Sequence, residues 1–311
     1  MALPPTPEGY DSWNDYIETE APALALAEGL TLQEAKASLK LLYVSEPIRS
    51  AVGEPYYREY NVFTTWADRA LLPNLGRPWK LTPDPAPEPV LTNLQLYYDP
   101  SNVSSYSGAG TTVNSLVSPN LTGTMNNITF TSPYFNYNGS DSTISIADNA
   151  SLEPGSGDFT IEAWVYYTTI TGSSRVIVGK TDGGGAQDWG YGLRTGSTGT
   201  TFFEVGNGTT SIQSANFTVS TGQWYQVVGV WTNVASNSIA LYRNGTLIGS
   251  TSHAFASVKN TTSPLYIGSF NGGQFSQWLN GRTGIIRYYN AALSGADILQ
   301  NFNADKSKYG L

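Results

Sequence analysis

Five short stretches in the second half of this 311-residue chain restrict its fold more than any other feature. They are residues 159–167 (FTIEAWVYY), 224–231 (WYQVVGVW), 239–245 (IALYRNG), 265–269 (LYIGS) and 279–294 (LNGRTGIIRYYNAALS). In the first, Phe159, Ile161, Ala163, Val165 and Tyr167 share one face of an extended chain. Thr160, Glu162, Trp164 and Tyr166 share the other, because side chains alternate along a strand. In the third, Asn244-Gly245 separates two such runs and suits the positive φ angles of a type I′ hairpin. Strands at this spacing predict an all-β, antiparallel sandwich.

In this order the stretches resemble the laminin-G-like, concanavalin A-like jelly rolls. That family's habits are an F-T-I-E-A-W-V strand, a W-Y-x-V strand, an L-Y-x-N-G hairpin and an L-x-I-G strand. Its closing strand runs into N-x-A-L-S and a short helix, here Ile286-Arg287-Tyr288-Tyr289-Asn290 and beyond. The opening strand is matched by Leu94-Gln95-Leu96-Tyr97-Tyr98, so the resemblance covers residues 93–311. In the closing helix Ser294-x-x-Asp297 reads as a capping box, with Ile298, Leu299 and Phe302 as the inward stripe.

Charged residues make up 13% of the chain, which suits a turn-rich β protein with polar, uncharged faces. The net charge of −8 argues against nucleic acid as a partner, which needs clustered Lys and Arg. Cysteine is absent, which excludes disulfides, thiolate metal sites and cysteine nucleophiles. No apolar run approaches a helical membrane span, and the first residues lack the pattern of a secretory signal.

Residues 1–80 differ in kind. Ser12-x-x-Asp15 and Thr31-x-x-Glu34 read as starts of two short helices. The second presents Leu32, Ala35, Leu39 and Leu42 on one face and ends by Pro47. The aromatics Tyr56, Tyr57, Tyr60 and Trp66 follow in an irregular, extended stretch. These eight residues are the expected attachment interface of an N-terminal arm. Residues 81–92 form a Pro-rich linker, a semi-rigid spacer where prolines alternate.

The closing run 301–311 is similar to that of laminin-G-like proteins of tailed bacteriophages. The arm, through its runs at 9–13 and 55–61, is similar in style to phage particle proteins. The resemblance implies a virion structural protein, assembled in the host cytoplasm. It would dock on other virion proteins (capsid, neck or tail) through residues 1–80, as a homo-oligomer.

Glucanases of the same fold carry E-x-D-x-x-E on one strand, and retaining hydrolysis needs two carboxylates ~5–5.5 Å apart. Here Glu162 is followed by Trp164 and Tyr167, so catalysis is not expected and Glu162 reads as a paired or surface glutamate. The single histidine, His253, has no nucleophile elbow and reads as a surface residue. Relatives with a rim calcium suggest Asp182, Asp188, Asn207 and Asn271 as ligands, with ordinary Asx turns as the alternative. Sugar recognition combines an aromatic platform with Asp, Asn or Gln. Two loops offer that mixture, with Gln187, Asp188, Trp189, Tyr191, Asn271, Gln274 and Trp278 as candidates for binding host-surface glycans. Tyr191 and Trp278 read equally well as strand residues filling the core.

Overall fold

The computed structural model describes residues 87–311, apart from 171, 173, 235 and 270–276; of the earlier residues it describes Pro22 alone. The arm residues Leu32, Ala35, Leu39, Leu42, Tyr56, Tyr57, Tyr60 and Trp66, with the two expected arm helices and the linker before Pro87, lie outside the described residues. The chain divides into two units between Ala86 and Pro87.

The described strands in chain order begin with β1 (Leu94–Tyr98), β2 (Thr112–Asn114), β3 (Thr122–Asn126), β4 (Thr129–Thr131), β5 (Tyr134–Asn138) and β6 (Thr143–Ile146). Next come β7 (Phe159–Tyr167), β8 (Arg175–Thr181), β9 (Trp189–Thr195), β10 (Thr200–Gly206) and β11 (Ser211–Thr218). The last are β12 (Trp224–Thr232), β13 (Ser238–Arg243), β14 (Thr246–Ser252), β15 (Leu265–Ile267) and β16 (Asn280–Tyr289), before helix α1 (Gly295–Asp305). They form two antiparallel sheets. The first runs β14-β13-β12-β7-β16-β5-β4, with β1 also paired to β16; the second runs β11-β10-β9-β8-β15-β6-β3-β2. This is the jelly-roll sandwich that the family resemblance implies.

The expected hairpin is present: Arg243 pairs with Thr246, and Asn244 and Gly245 have φ of 50° and 76°. The core lies between the sheets. Phe159 packs against Tyr191, Phe203 and Tyr288 at centroid distances of 4.9, 5.6 and 5.7 Å. Phe159, Ile161, Ala163, Val165 and Tyr167 all point into it, as their alternation requires.

The opposite face of β7 is also covered. Thr160, Glu162 and Trp164 have no solvent exposure. α1 and the 3-10 turn Lys306–Tyr309 fold back over the outside of this sheet, where Tyr309 stacks on Trp164 at 4.4 Å. The capping box of α1 is formed, with Asp297 N–H donating to Ser294 Oγ. Of the expected inward stripe, Ile298 is buried and Phe302 stacks on Trp164 at 5.7 Å, while Leu299 is 46% exposed; Asn301 and Asp305 are buried as well. Spacings of three and four place 298, 301 and 305 on one face. Two of these are polar because they meet a buried charge on the sheet.

A bulge in β16 shifts its register against β7 between Thr283 and Ile286. The extra residue reverses the alternation, so Arg282 and Arg287, opposite Tyr166 and Glu162, both lie on the outer face. Gly284 occupies the bulge because a Cβ there would lie 2.1 Å from Tyr309 Oη.

Candidate functional site

Glu162 sits at the centre of the covered face. Its Oε1 accepts from Gln226 Nε2 at 2.8 Å and from Arg287 at 3.1 Å, and its Oε2 accepts from Asn301 Nδ2 at 2.8 Å. Arg287 also pairs with Asp305 at 2.7 Å, and its guanidinium lies 4.6 Å from the centre of the Tyr97 ring. One guanidinium therefore serves two carboxylates. Burial pushes the Glu162 carboxyl above its ordinary range despite Arg287, and Asp305 adds to the rise. Asp305 does bring a second acid near Glu162, but Glu162, Arg287 and Asp305 are 0, 0 and 1% exposed, so all three are sealed from solvent. Glu162 is thus paired. Of its partners, Arg287 stood in the closing strand motif, while Gln226, Asn301 and Asp305 gave no signal beyond polar residues at strand and helix spacing.

The loop candidates separate by burial. Gln187 is exposed. Asp188 is half-buried and its Oδ2 accepts the Gly185 N–H at 3.1 Å, which closes the loop on itself. Trp189 is not a surface platform: it is 3% exposed, packs on Val176 and lies beneath the Arg194 guanidinium at 4.6 Å. Arg194 is held there by Glu204 at 2.5 Å. Tyr191 has no exposure and donates its hydroxyl proton to Leu152 O at 2.8 Å, so it fills the core. Trp278 is half-buried; Asn271 and Gln274 lie outside the described residues. The described members therefore do not form one sugar platform, because the two large rings beside Asp188 are consumed by packing.

The described calcium candidates are also engaged elsewhere, and Asn271 lies outside the described residues. Asp182 Oδ1 accepts the N–H groups of Thr262 and Ser263 at 3.0 and 3.2 Å, while Oδ2 pairs with Lys259 at 3.0 Å. Burial alone would raise this carboxyl, but Lys259 and Ser263 hold it below its usual range. Asn207 Oδ1 accepts from Thr209 and Thr210 N–H at 2.9 Å, which is the Asx-turn alternative. Among the described residues no group of three or more acidic or histidine side chains could hold a metal.

One oxygen cage does exist, and a lysine fills it. The fully buried Lys180 ammonium meets Asp148 Oδ1 at 2.7 Å, Glu153 Oε1, Thr261 O at 2.7 Å, Thr261 Oγ1 at 3.0 Å and Ser263 O at 2.9 Å. It ties β8 to the segment before β15 as a bound cation would.

His253 is half-buried rather than a free surface residue. It stacks on Trp231 at 3.6 Å, its Nδ1 accepts the Phe255 N–H at 3.2 Å, and its Nε2 lies 3.1 Å from Thr232 O. The accepting Nδ1 assigns the proton to Nε2, so both nitrogens are engaged. Burial lowers its pKa, and the Thr232 carbonyl opposes this.

With this geometry, the chain belongs to the concanavalin A-like lectin/glucanases superfamily, whose laminin-G-type profile matches residues 138–299. No curated protein sequence matches the chain. Among solved structures it is similar to Trypanosoma rangeli sialidase in complex with sialic acid, at 14% identity and TM-score 0.54 over 70% of this chain and 34% of that one. It is also similar to the botulinum neurotoxin serotype D/C binding domain, at 13% identity and TM-score 0.54 over 68% of this chain and 52% of that one. The binding domain of Paraclostridial Mosquitocidal Protein 1 matches at 16% identity and TM-score 0.52 over 68% of this chain and 52% of that one. The chain thus spans a third to a half of these proteins' lengths, and at such identities the likeness is one of fold.

Proposed function

We propose that this chain is a non-catalytic display protein of a tailed-bacteriophage particle, anchored by residues 1–80 and presenting its sandwich as a carbohydrate-recognition module. The observation that carries the non-catalytic reading is the sealing of Glu162. In the glucanase pattern this strand position faces substrate, whereas here α1 covers it and Arg287, Gln226 and Asn301 take up both carboxylate oxygens. A carboxylate so held, with no solvent exposure, leaves no room for a sugar beside it. Carbohydrate recognition is supported by membership of a superfamily named for lectins. The virion reading rests on the closing run 301–311 and on the style of the arm.

Deleting residues 1–80 tests the anchoring. The truncated protein is expected to be missing from purified particles; its incorporation at normal copy number would defeat the reading. A second reading, a lectin-like adhesion module acting outside a particle, draws on the binding domains among the structural neighbours. It predicts that no particle contains the full chain.

A further inference from the structure

The outer face of the first sheet carries a half-exposed row of rings around one arginine. Arg282 pairs in register with Tyr166 on β7 and Asn136 on β5, and Tyr166 pairs with Trp224 on β12. With Thr129 beyond Asn136, the row crosses five strands, about 19 Å at ~4.8 Å per strand. The Arg282 guanidinium carbon lies 4.4 Å from the centre of the Tyr166 ring and 4.6 Å from that of Tyr134. Trp224 is 5.6 Å from Tyr134 and 5.7 Å from Tyr166. Tyr134, Tyr166, Trp224 and Arg282 are all half-buried.

The two outer-face arginines of β16 differ in one respect. Arg287 has two carboxylates, whereas Arg282 contacts rings only and has no carboxylate or hydrogen-bond partner among the described residues. Asp141, on the hairpin after β5, is engaged by Asn127 and Asn138 at 2.7 and 2.6 Å. The Arg282 charge is therefore balanced by no carboxylate among the described residues. Stacking positions the flat cation and leaves its N–H edge for a bidentate carboxylate. Rings beside it suit the apolar face of a sugar.

We propose that this row binds an acidic carbohydrate, with a sugar carboxylate on Arg282 and adjoining rings against Tyr134, Tyr166 and Trp224. A peptide fits less well, since Trp224, Tyr166, Arg282 and Tyr134 lie on β12, β7, β16 and β5, interior strands whose N–H and C=O groups are already paired with their neighbours. Nucleic acid would need several cations rather than one. The inference rests on the reading of the sandwich as a carbohydrate-recognition module, but not on the virion assignment.

Calorimetric titration of the full chain tests it, with trigalacturonate and sialyllactose as two sources of the carboxylate and lactose as the neutral probe. At least one acidic saccharide is expected to bind more tightly than lactose. Arg282→Gln should weaken that binding about ten- to hundred-fold at an unchanged melting temperature. Arg282→Lys should recover only part, and Tyr166→Leu should weaken it independently of charge. Lactose bound as tightly as both acids, or acidic binding indifferent to Arg282→Gln, would overturn the site while leaving carbohydrate recognition standing. Failure of every saccharide to bind would overturn both.

Discussion

Glu162 on β7 and Arg287 on β16 face each other at 3.1 Å with no solvent exposure on either side. The pair joins neighbouring strands, and through Asn301 and Asp305 it also fastens α1 to the sheet. Glu162 and Arg287 together thus anchor the C-terminal cap.

Breaking this pair one side at a time leaves a buried charge uncompensated. Arg287→Met is expected to cost about 3–5 kcal/mol in urea unfolding. The double variant Glu162→Gln, Arg287→Met should recover part of that loss, Asp305 being left without its Arg287 partner. Single and double variants of equal stability would show that the pair is not coupled.

Gly284→Ala addresses the same cap from the other side. Its Cβ would lie 2.1 Å from Tyr309 Oη, which accepts the Ile285 N–H at 2.8 Å. Overpacking of this kind costs about 1–3 kcal/mol. Tyr309 should leave Trp164, so tryptophan emission should shift to the red and residues 295–311 should become sensitive to protease before the strands do.

Lys180→Met removes the cation from the oxygen cage and leaves Asp148 and Glu153 facing each other's charge. Burial already pushes the Glu153 carboxyl up against the opposing effect of Lys180. A loss of about 3–5 kcal/mol is expected. Adding Glu153→Gln should return part of it, and an unchanged melting temperature for the single variant would refute this role for the ammonium.

Acid should weaken a third contact. Burial alone would raise the Asp99 carboxyl, but Lys308 at 2.9 Å and Ser101 outweigh it and hold it below its ordinary 3.8. A depressed folded-state pKa means that this stabilisation is present above pH 3.8 and is lost as pH falls through the lower folded value. Lys308→Met is expected to cost about 1–2 kcal/mol at pH 7, solvent screening at the half-exposed lysine included. The difference from wild type should shrink below pH 3.8; a constant difference would exclude the ion pair.

Local pattern foretold the strands well, because alternation and the Asn244-Gly245 turn are properties of neighbouring residues. It did not foretell what covers the outer face of β7, since a strand buried on both sides and one wetted on one side differ only in a distant partner. Thr160, Glu162 and Trp164 look half-polar in sequence and are sealed by α1. The parity of β16 was equally hidden: Arg282 and Arg287 are an odd number apart and share a face only through the bulge at Gly284. Trp189 beside a glycine-rich loop has the look of a sugar platform, but Arg194 and Val176 close over it. Side chains at such rims are assigned by tertiary contacts that composition does not carry.

The central claim is that the sandwich recognises carbohydrate without cleaving it. The most direct measurement incubates the full chain with β-glucan, polygalacturonate and sialyllactose and follows released reducing ends. The expected result is no release above buffer from any of them. Release that disappears in Glu162→Gln, with the fold intact by circular dichroism, would contradict it.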